Sequence, residues 1–271
     1  MARKTVAALA SLLLLGGLAL HGTPAAAQQS ALDAVKARGT LIAGVKADYP
    51  PFGYTDKDGK LVGFDIDIMA YMAKRLGVKL ELRPVTSANR IPMLQNGAVD
   101  VIAASLTITR ERAEVVDFSV PYVVIGSKFL VKKGSGIKTW HDLAGKTVAY
   151  TQGTPWGEKA HAAEPTIKPL VFQDKPQAVL SVLNGKAEAY VDDAAPLVMF
   201  AKEHPGELVA AGDPSVPSPM GIAVRPNDSK WRNYVDFTLI AMSQDGAYLA
   251  LYEKYFGEKP DACFKIYPWE L

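Results

Sequence analysis

The segment 107–112 (TITRER) places polar and cationic side chains where a predicted strand runs into a predicted helix. Thr109 is the expected N-cap of that helix, so Arg112 falls in its first turn. A cation there opposes the helix macrodipole, because the helix start carries a partial positive charge. An anion held jointly by backbone N–H groups and the guanidinium would remove this conflict. The alternative is a surface arginine, or one that braces two parts of the fold.

Asp192 follows the apolar strand 189–191 and could accept a hydrogen bond from an ammonium group. It could equally be the N-cap of the predicted helix 194–201. Arg112 and Asp192 together offer one cation and one anion, which is the pair that a zwitterionic ligand requires. These two residues are therefore candidates for a zwitterion-binding site.

The sequence contains no complete enzyme motif of the kinds considered, and its one partial match lacks a required residue. The triplet 145–147 (GKT) resembles the end of a Walker A loop, but Trp140 stands where that loop requires glycine, so the triplet is interpreted as a strand entry. The sequence has no G-x-S-x-G, G-x-G-x-x-G or H-E-x-x-H pattern. Outside the first 27 residues the histidines are scattered, at His141, His161 and His204, and Cys263 has no catalytic partner nearby in the sequence. We expect no enzyme activity, no cofactor and no metal site.

Strand-like and helix-like stretches alternate along the chain. The apolar run 41–45 predicts a strand, Asp65 can cap a helix with an apolar stripe over 66–76, and 78–82 alternates like a half-buried strand. Two further helical stripes follow between 231 and 256. This order predicts an α/β architecture with mostly parallel sheets.

A weak internal echo predicts two similar lobes. The segments 94–104 and 183–191 both read as helix, Asn-Gly C-cap and strand, and 39–43 (GTLIA) resembles 145–149 (GKTVA). Ligands of open α/β sheets bind beyond the carboxyl ends of strands. If two such edges face each other they form a cleft, and the predicted strand ends carry Lys46, Ser105, Thr107, Thr154 and Asp192.

The first 27 residues have the layout of a secretory signal peptide. Arg3 and Lys4 precede the apolar run 6–20, and 24–27 (PAAA) supplies the small residues of a cleavage site. The chain has 30 Lys and Arg against 28 Asp and Glu, and removal of the leader leaves 28 of each. A neutral exported protein is not expected to bind nucleic acid or an anionic membrane. With Cys263 as its single cysteine, the chain can form no intrachain disulfide.

Several motifs resemble the signatures of family 3 solute-binding proteins, and the resemblance covers nearly all of the chain after the leader. The matching segments are 44–52 (GVKADYPPF), 63–67 (GFDID), 107–112 (TITRER), 116–122 (VDFSVPY), 142–146 (DLAGK) and 152–154 (QGT). The resemblance implies a periplasmic amino-acid receptor of an ATP-driven importer. It also implies the type II periplasmic binding protein fold, with two α/β lobes joined by two hinge strands.

The resemblance further implies a division of the chain and of the site. The first lobe would use 28–124 and 217–271, and the second lobe 125–216. Arg112 would clamp the ligand α-carboxylate with help from the residues Ser105, Thr107 and Thr154. Asp192 would hold the α-ammonium group, and Tyr49 would form a wall of the site.

The ligand side chain depends on fewer positions. Receptors for basic amino acids in this family commonly carry an acidic residue where this chain has Lys46, so lysine and arginine are not expected ligands. The segment 86–92 (TSANRIP) is similar to the part of glutamate/aspartate receptors in which Ser87 and Arg90 face the ligand. Lys46 and Arg90 could neutralise a buried side-chain carboxylate, so glutamate or aspartate is the predicted ligand.

Three residues depart from that pattern. Pro155 lacks the N–H that relatives often offer to the carboxylate. Asp174 could repel an acidic ligand or brace Arg90 or Lys46, and Trp156 is expected to pack behind the site rather than cover it. Glutamine or another polar amino acid therefore stays an alternative ligand. An enzyme on the same scaffold also stays open, because cyclohexadienyl dehydratases resemble this family. The expected partners are one L-amino acid and an inner-membrane permease, with the receptor itself a monomer.

Overall fold

A computed structural model describes residues 29–212, 216–261, 264 and 266. The strands of this part of the chain are β1 Thr40–Val45, β2 Asp48–Tyr49, β3 Gly53–Thr55, β4 Leu61–Val62, β5 Lys79–Pro84, β6 Val101–Ile102, β7 Asp117–Phe118, β8 Val123–Ile125, β9 Ser127–Lys132, β10 Thr147–Thr151, β11 Lys168–Phe172, β12 Ala189–Asp193, β13 Leu208–Ala211, β14 Ser218–Met220 and β15 Ala223–Val224. The helices are α1 Ala31–Arg38, α2 Phe64–Leu76, α3 Arg90–Gln95, α4 Arg110–Ala113, α5 Trp156–Ala163, α6 Lys175–Leu183, α7 Ala194–Glu203, α8 Ser229–Gln244 and α9 Ala247–Phe256, with a 3-10 turn at His141–Leu143.

Two five-stranded sheets organise the molecule. The first has the order β5-β1-β6-β15-β7, and the second has the order β11-β10-β12-β9-β13. In both, the first parallel strand lies between the next two parallel strands, and antiparallel strands complete the sheet. This common arrangement accounts for the internal echo of the sequence, and it confirms the predicted α/β architecture. The GKT triplet leads into β10, in agreement with its interpretation as a strand entry.

The chain passes between the sheets twice. It leaves the first sheet through β8 and returns through β14, and these two strands pair antiparallel with Val124 opposite Pro219. The crossings therefore lie beside the lobe boundaries predicted at 124/125 and 216/217. Two adjacent antiparallel strands can bend together, which is the arrangement of a hinge between domains.

Helix α2 begins two residues earlier than the sequence predicts, which changes the role of Asp65. Gly63 takes the N-cap position with a φ of 141°, and Asp65 lies inside the first turn, fully buried. Its carboxylate accepts hydrogen bonds from Ser105 N (2.8 Å) and the Tyr122 hydroxyl (2.8 Å). The prediction of Asp65 as a helix cap was wrong, because the carboxylate instead satisfies a buried loop of the neighbouring strand end.

Aromatic packing fixes this helix beside the hinge. The Phe64 ring lies 6.1 Å from the ring of Tyr122 and 5.2 Å from that of Phe256, measured between centroids. Helices α8 and α9 are the two helical stripes predicted between 231 and 256. The strand ends that carry polar side chains are thus held on a rigid apolar base.

Candidate functional site

A small cavity of about 10 Å³ lies between the two sheets. This volume accommodates roughly one water molecule, so the lobes must separate before an amino acid can enter. Both lobes contribute to the lining, which consists of Tyr49, Ser87, Arg90, Ser105, Thr107, Thr154, Pro155, Trp156, Lys175 and Asp193. Six of the nine residues that the sequence predicted for the site are therefore in its wall: Tyr49, Ser87, Arg90, Ser105, Thr107 and Thr154.

A larger groove of about 800 Å³ lies behind the hinge, between α7 and α9. Its walls are lysines, aromatic rings and the hinge strand β8, and none of the predicted site residues lies there. The small cavity contains the convergent buried charges that a polar ligand needs, so we assign the candidate site to it.

Arg112 bridges the two lobes but, contrary to prediction, is not among the residues that line the cavity. Thr109 caps α4 as predicted, accepting from Arg112 N, and the guanidinium donates to Thr107 O (2.6 Å) and to Gly153 O (2.8 Å). Among the described residues it has no carboxylate partner, and burial lowers its pKa. Gly153 has a φ of 77°, and a Cβ there would lie 2.5 Å from Ser87 O. Only glycine permits the lobes to approach this closely.

Arg90 is a buried cation that, among the described residues, donates hydrogen bonds only to carbonyl groups. Its Nη1 donates to Ala104 O (2.5 Å) and its Nη2 approaches Gly153 O at 3.4 Å, whereas Nε has no partner in the described structure. Burial, together with the charge of Arg112, lowers the pKa of Arg90 to about 9. A charge that is buried without a counter-ion costs several kcal/mol, so this guanidinium is suited to an added anion.

Asp193, rather than Asp192, faces the cavity. Its Oδ2 lies 2.8 Å from the Tyr49 hydroxyl, and its buried Oδ1 has no partner among the described residues. Burial and the charge of Asp192 raise the pKa of Asp193 to about 7. The free oxygen could accept from an ammonium group of a ligand. Asp193 also occupies the N-cap position of α7, although its side chain makes no capping hydrogen bond.

Asp192 belongs to an internal network instead. It accepts from the Tyr49 hydroxyl (2.7 Å), pairs with Lys175 Nζ (2.5 Å) and contacts the Tyr190 hydroxyl. With its oxygens engaged, it neither lines the cavity nor caps a helix. Sequence reasoning chose the first of two adjacent aspartates at a strand end. The pair itself was the available signal, because neighbouring strand residues point to opposite faces.

Lys46 also lies outside the cavity wall, contrary to prediction. The side chain is buried, and its Nζ pairs with Asp48 Oδ1 at 2.9 Å. Burial lowers the pKa of Lys46 to about 8, opposed by the attraction of Asp48. An acidic residue two positions along an extended chain lies on the same face, so Asp48 was a visible signal for this pair.

Besides Arg90, the cation Lys175 lines the cavity, and sequence reasoning missed it. It is the first residue of α6, and Asp174 caps that helix by accepting from Gln177 N (2.9 Å). Asp174 therefore does not brace Arg90 or Lys46. Trp156 is buried, and it both packs in the core of the second lobe and lines the cavity, so the expectation that it only packs behind the site was incomplete. Pro155, which has no N–H to donate, precedes it in the wall.

Other expectations concern chemistry outside this site. Residues 29–212, 216–261, 264 and 266 contain no group of histidine, cysteine, aspartate or glutamate side chains placed to hold a metal ion. Within the same residues, every helix is too short or too polar to cross a membrane. The predicted signal peptide and Cys263 lie outside the described residues.

Residues 41–258 match the profile of the family described as bacterial extracellular solute-binding proteins, family 3. The match covers most of the chain, and the chain belongs to this family. The resemblance inferred from the sequence motifs is thereby confirmed at the level of the family.

Curated relatives of similar closeness have different ligands in their names. The chain is 33% identical to the L-cystine-binding protein TcyJ of Escherichia coli (strain K12), over 85% of this chain and 88% of that protein. It is 35% identical to the ABC transporter glutamine-binding protein GlnH of Bacillus subtilis (strain 168), over 86% and 87%. It is 31% identical to the glutamate/aspartate import solute-binding protein of Salmonella typhimurium, over 94% and 88%. The narrower resemblance to the glutamate/aspartate branch is thus one of several that are equally close.

Solved structures share the fold. ArgBP from T. maritima, in its P235GK mutant, superposes with a TM-score of 0.80 and 38% identity, over 84% of this chain and all of that one. The ancestral amino acid-binding protein AncCDT-1, a precursor of cyclohexadienyl dehydratase, superposes with a TM-score of 0.79 and 40% identity, also over 84% and 100%. The predicted two-lobed periplasmic binding protein fold of type II is confirmed.

Proposed function

We propose that this protein reversibly binds an L-amino acid with an acidic side chain, glutamate or aspartate, and delivers it to the permease of an ABC importer. The observation that carries the proposal is the imbalance of buried charge around the cavity. Arg90 and Arg112 have no carboxylate partner in the described structure, and one oxygen of Asp193 is free.

The charges around the cavity can be assigned to parts of such a ligand. Arg112 would take the α-carboxylate and Asp193 the α-ammonium, so a zwitterion leaves Arg90 without a counter-ion. Lys46 and Lys175 do not change this balance, because each is already paired with an aspartate. A second ligand carboxylate would neutralise Arg90, which favours an acidic side chain over a neutral one.

Opening and closing of the lobes would make ligand binding reversible, and the closed form would be the one that the permease detects. Arg112 lies in the first lobe and donates to Gly153 O of the second, and Tyr49 of the first lobe bonds to the aspartates of β12. A ligand that bridges the same groups stabilises the closed form by its differential affinity for it. The closed surface is what we propose the permease recognises, with the receptor acting as an exported periplasmic monomer.

Calorimetry of ligand-stripped protein lacking residues 1–27, titrated with each of the common amino acids, tests the proposal. We expect L-glutamate or L-aspartate to bind, and to raise the melting temperature by mass action. The matched control is glutamine, which has the shape of glutamate without its charge. Binding of glutamine, cystine or a basic amino acid with no response to either acid would contradict the proposed ligand.

Two alternatives have specific observations behind them. A glutamine amide oxygen could accept from the free Nε of Arg90, without neutralising it.

An enzyme on this scaffold would have in Asp193 a carboxyl that can hold a proton near neutral pH. We propose that the protein is not an enzyme, because the same carboxyl is suited to an ammonium ion. Turnover of prephenate or arogenate by the purified protein would contradict this.

A further inference from the structure

Lys175 places an ammonium group inside the wall of the cavity. Its side chain is 2% exposed, its Nζ lies 2.5 Å from Asp192 Oδ2, and the same Nζ lies 3.8 Å from the centroid of the Tyr49 ring. Tyr49 comes from the first lobe and Lys175 from the second, so closure brings them together. Both residues line the cavity.

The surroundings of this ammonium have the chemistry of a cation-binding subsite. An aromatic face attracts a cation through its quadrupole, and a buried carboxylate supplies the counter-charge. Asp192 is held in place by the hydroxyl groups of Tyr49 and Tyr190. The chain thus fills, with its own lysine, a position that would otherwise accept the cationic side chain of a ligand.

A lysine in the first turn of α6 is unfavourable for the helix, because a cation there opposes the helix dipole. Its retention in the fold is explained by the pair with Asp192, which cancels the charge. The pair alone does not require the ammonium to lie over the Tyr49 ring at the cavity wall. That second contact is what links Lys175 to the ligand.

We propose that Lys175 is a specificity-determining residue that excludes amino acids with cationic side chains by occupying their subsite between Tyr49 and Asp192. The inference rests on the proposed function, in that the cleft must bind amino acids. Exclusion has two causes: the ammonium fills the space, and it repels a second cation that approaches the same carboxylate.

Replacement of Lys175 by methionine tests this by a gain of binding. Methionine has similar length and no charge, so the Lys175→Met variant leaves Asp192 free to accept a ligand cation. We expect L-arginine or L-lysine to bind this variant at least tenfold more tightly than they bind the wild-type protein in calorimetry. The added substitution Asp192→Asn should remove the gain, because the counter-charge is then lost.

Lys159→Met is the matched control. Lys159 is a half-buried lysine whose Nζ lies 4.6 Å from the Trp156 ring centroid, but it is not in the cavity wall. Lys159→Met changes the net charge by the same amount as Lys175→Met. If arginine binding also increased in Lys159→Met, the gain would be due to the overall charge of the protein, and the proposal would be overturned. Circular dichroism and thermal unfolding monitor the fold of every variant.

The outcomes separate this inference from the proposed function. L-glutamate is titrated into wild-type protein in parallel: if it binds and Lys175→Met shows no gain for arginine or lysine, the role of Lys175 is wrong and the proposed function stands. If the variant gains arginine or lysine binding but glutamate does not bind the wild-type protein, the role of Lys175 is supported and the acidic ligand is contradicted.

Lys175→Gln, which keeps a donor to Asp192, is the second variant. A variant that folds only with L-arginine or L-lysine present supports the proposal, whereas failure of both variants to fold under any condition assigns Lys175 to stability and overturns it.

Discussion

The two lobes differ in how the charged residues that they contribute around the cavity are compensated. In the first lobe Arg90, in the wall, and Arg112, outside it, donate only to carbonyl oxygens among the described residues, so their positive charge is uncompensated. In the second lobe Lys175, in the wall, is neutralised by Asp192 behind it, while one oxygen of Asp193 has no partner among the described residues. A charge that is not neutralised needs a ligand to supply the missing counter-charge, whereas a neutralised pair can hold its shape without one. Arg90, Arg112 and Asp193 are therefore expected to govern affinity, and the Asp192–Lys175 pair to govern selectivity and stability.

The adjacent aspartates of the second lobe give the largest expected effects, one on stability and the other on binding. Asp192→Asn breaks a buried ion pair, and we expect a loss of roughly 3–5 kcal/mol in the free energy of unfolding. Asp193→Asn removes a charged acceptor from the cavity, and we expect roughly 1.5–3 kcal/mol less binding energy with a smaller change in stability. Denaturant unfolding and calorimetry on both variants measure these quantities. If Asp192→Asn instead lost binding while keeping stability, the sequence prediction would be right and our placement of Asp193 wrong.

Arg112→Ala tests the uncompensated positive charge of the first lobe. We expect a loss of roughly 2–5 kcal/mol in binding with the fold intact, because the α-carboxylate would be buried without its partner. Arg110→Ala is the control, since Arg110 is exposed on the same short helix. Calorimetry with L-glutamate measures both. Near-normal affinity in a folded Arg112→Ala variant would leave Arg112 as a bracing residue only.

Asp65 provides a pH-dependent test of the buried contacts that support the cavity residue Ser105 in the first lobe. Burial raises the pKa of Asp65 to about 7, from a usual value of 3.8. A raised pKa contributes stability at low pH that is lost as the pH rises from about 4 towards 7. We expect ligand-free protein to lose on the order of 1–3 kcal/mol of stability through Asp65 between pH 4 and pH 8.

The Asp65→Asn variant isolates that contribution. Asparagine can still accept from Ser105 N and can donate to the Tyr122 hydroxyl, but it does not titrate. Unfolding free energies of both proteins at pH 4 and pH 8 give the difference due to Asp65, since other carboxyl groups are common to both. An equal pH dependence of the two proteins would show that Asp65 titrates normally in the fold.

Lys46 should show the smallest effect. Its pair with Asp48 lies outside the cavity wall, so Lys46→Met should change the preference for glutamate over glutamine by less than about 1.4 kcal/mol, which is tenfold. Arg90→Met should change the same preference by more, because Arg90 is in the wall and has no counter-ion among the described residues. Competitive calorimetry with both ligands gives the two ratios. A larger change for Lys46 than for Arg90 would restore Lys46 to the site.

The sequence by itself determined the family, the α/β fold and much of what the first lobe contributes around the cavity. Local patterns were sufficient there: the TITRER segment defines a short helix capped by Thr109, and it brings Arg112 beside Thr107 within one turn. The repeat of strand, helix and strand also follows from local periodicity. Such features depend on residues close in the sequence, for which capping and spacing rules hold.

Only the tertiary structure decided which charges face the cavity. Asp192 and Asp193 are adjacent, and the choice between them depends on Lys175 and Tyr49, which approach from another helix and the other lobe. Burial of Lys46 likewise depends on how β1 turns into β2, where Asp48 reaches its ammonium. A buried ion pair forms between whichever groups the fold brings within a few ångströms, and Coulomb energy at that distance outweighs any preference that is local in the sequence.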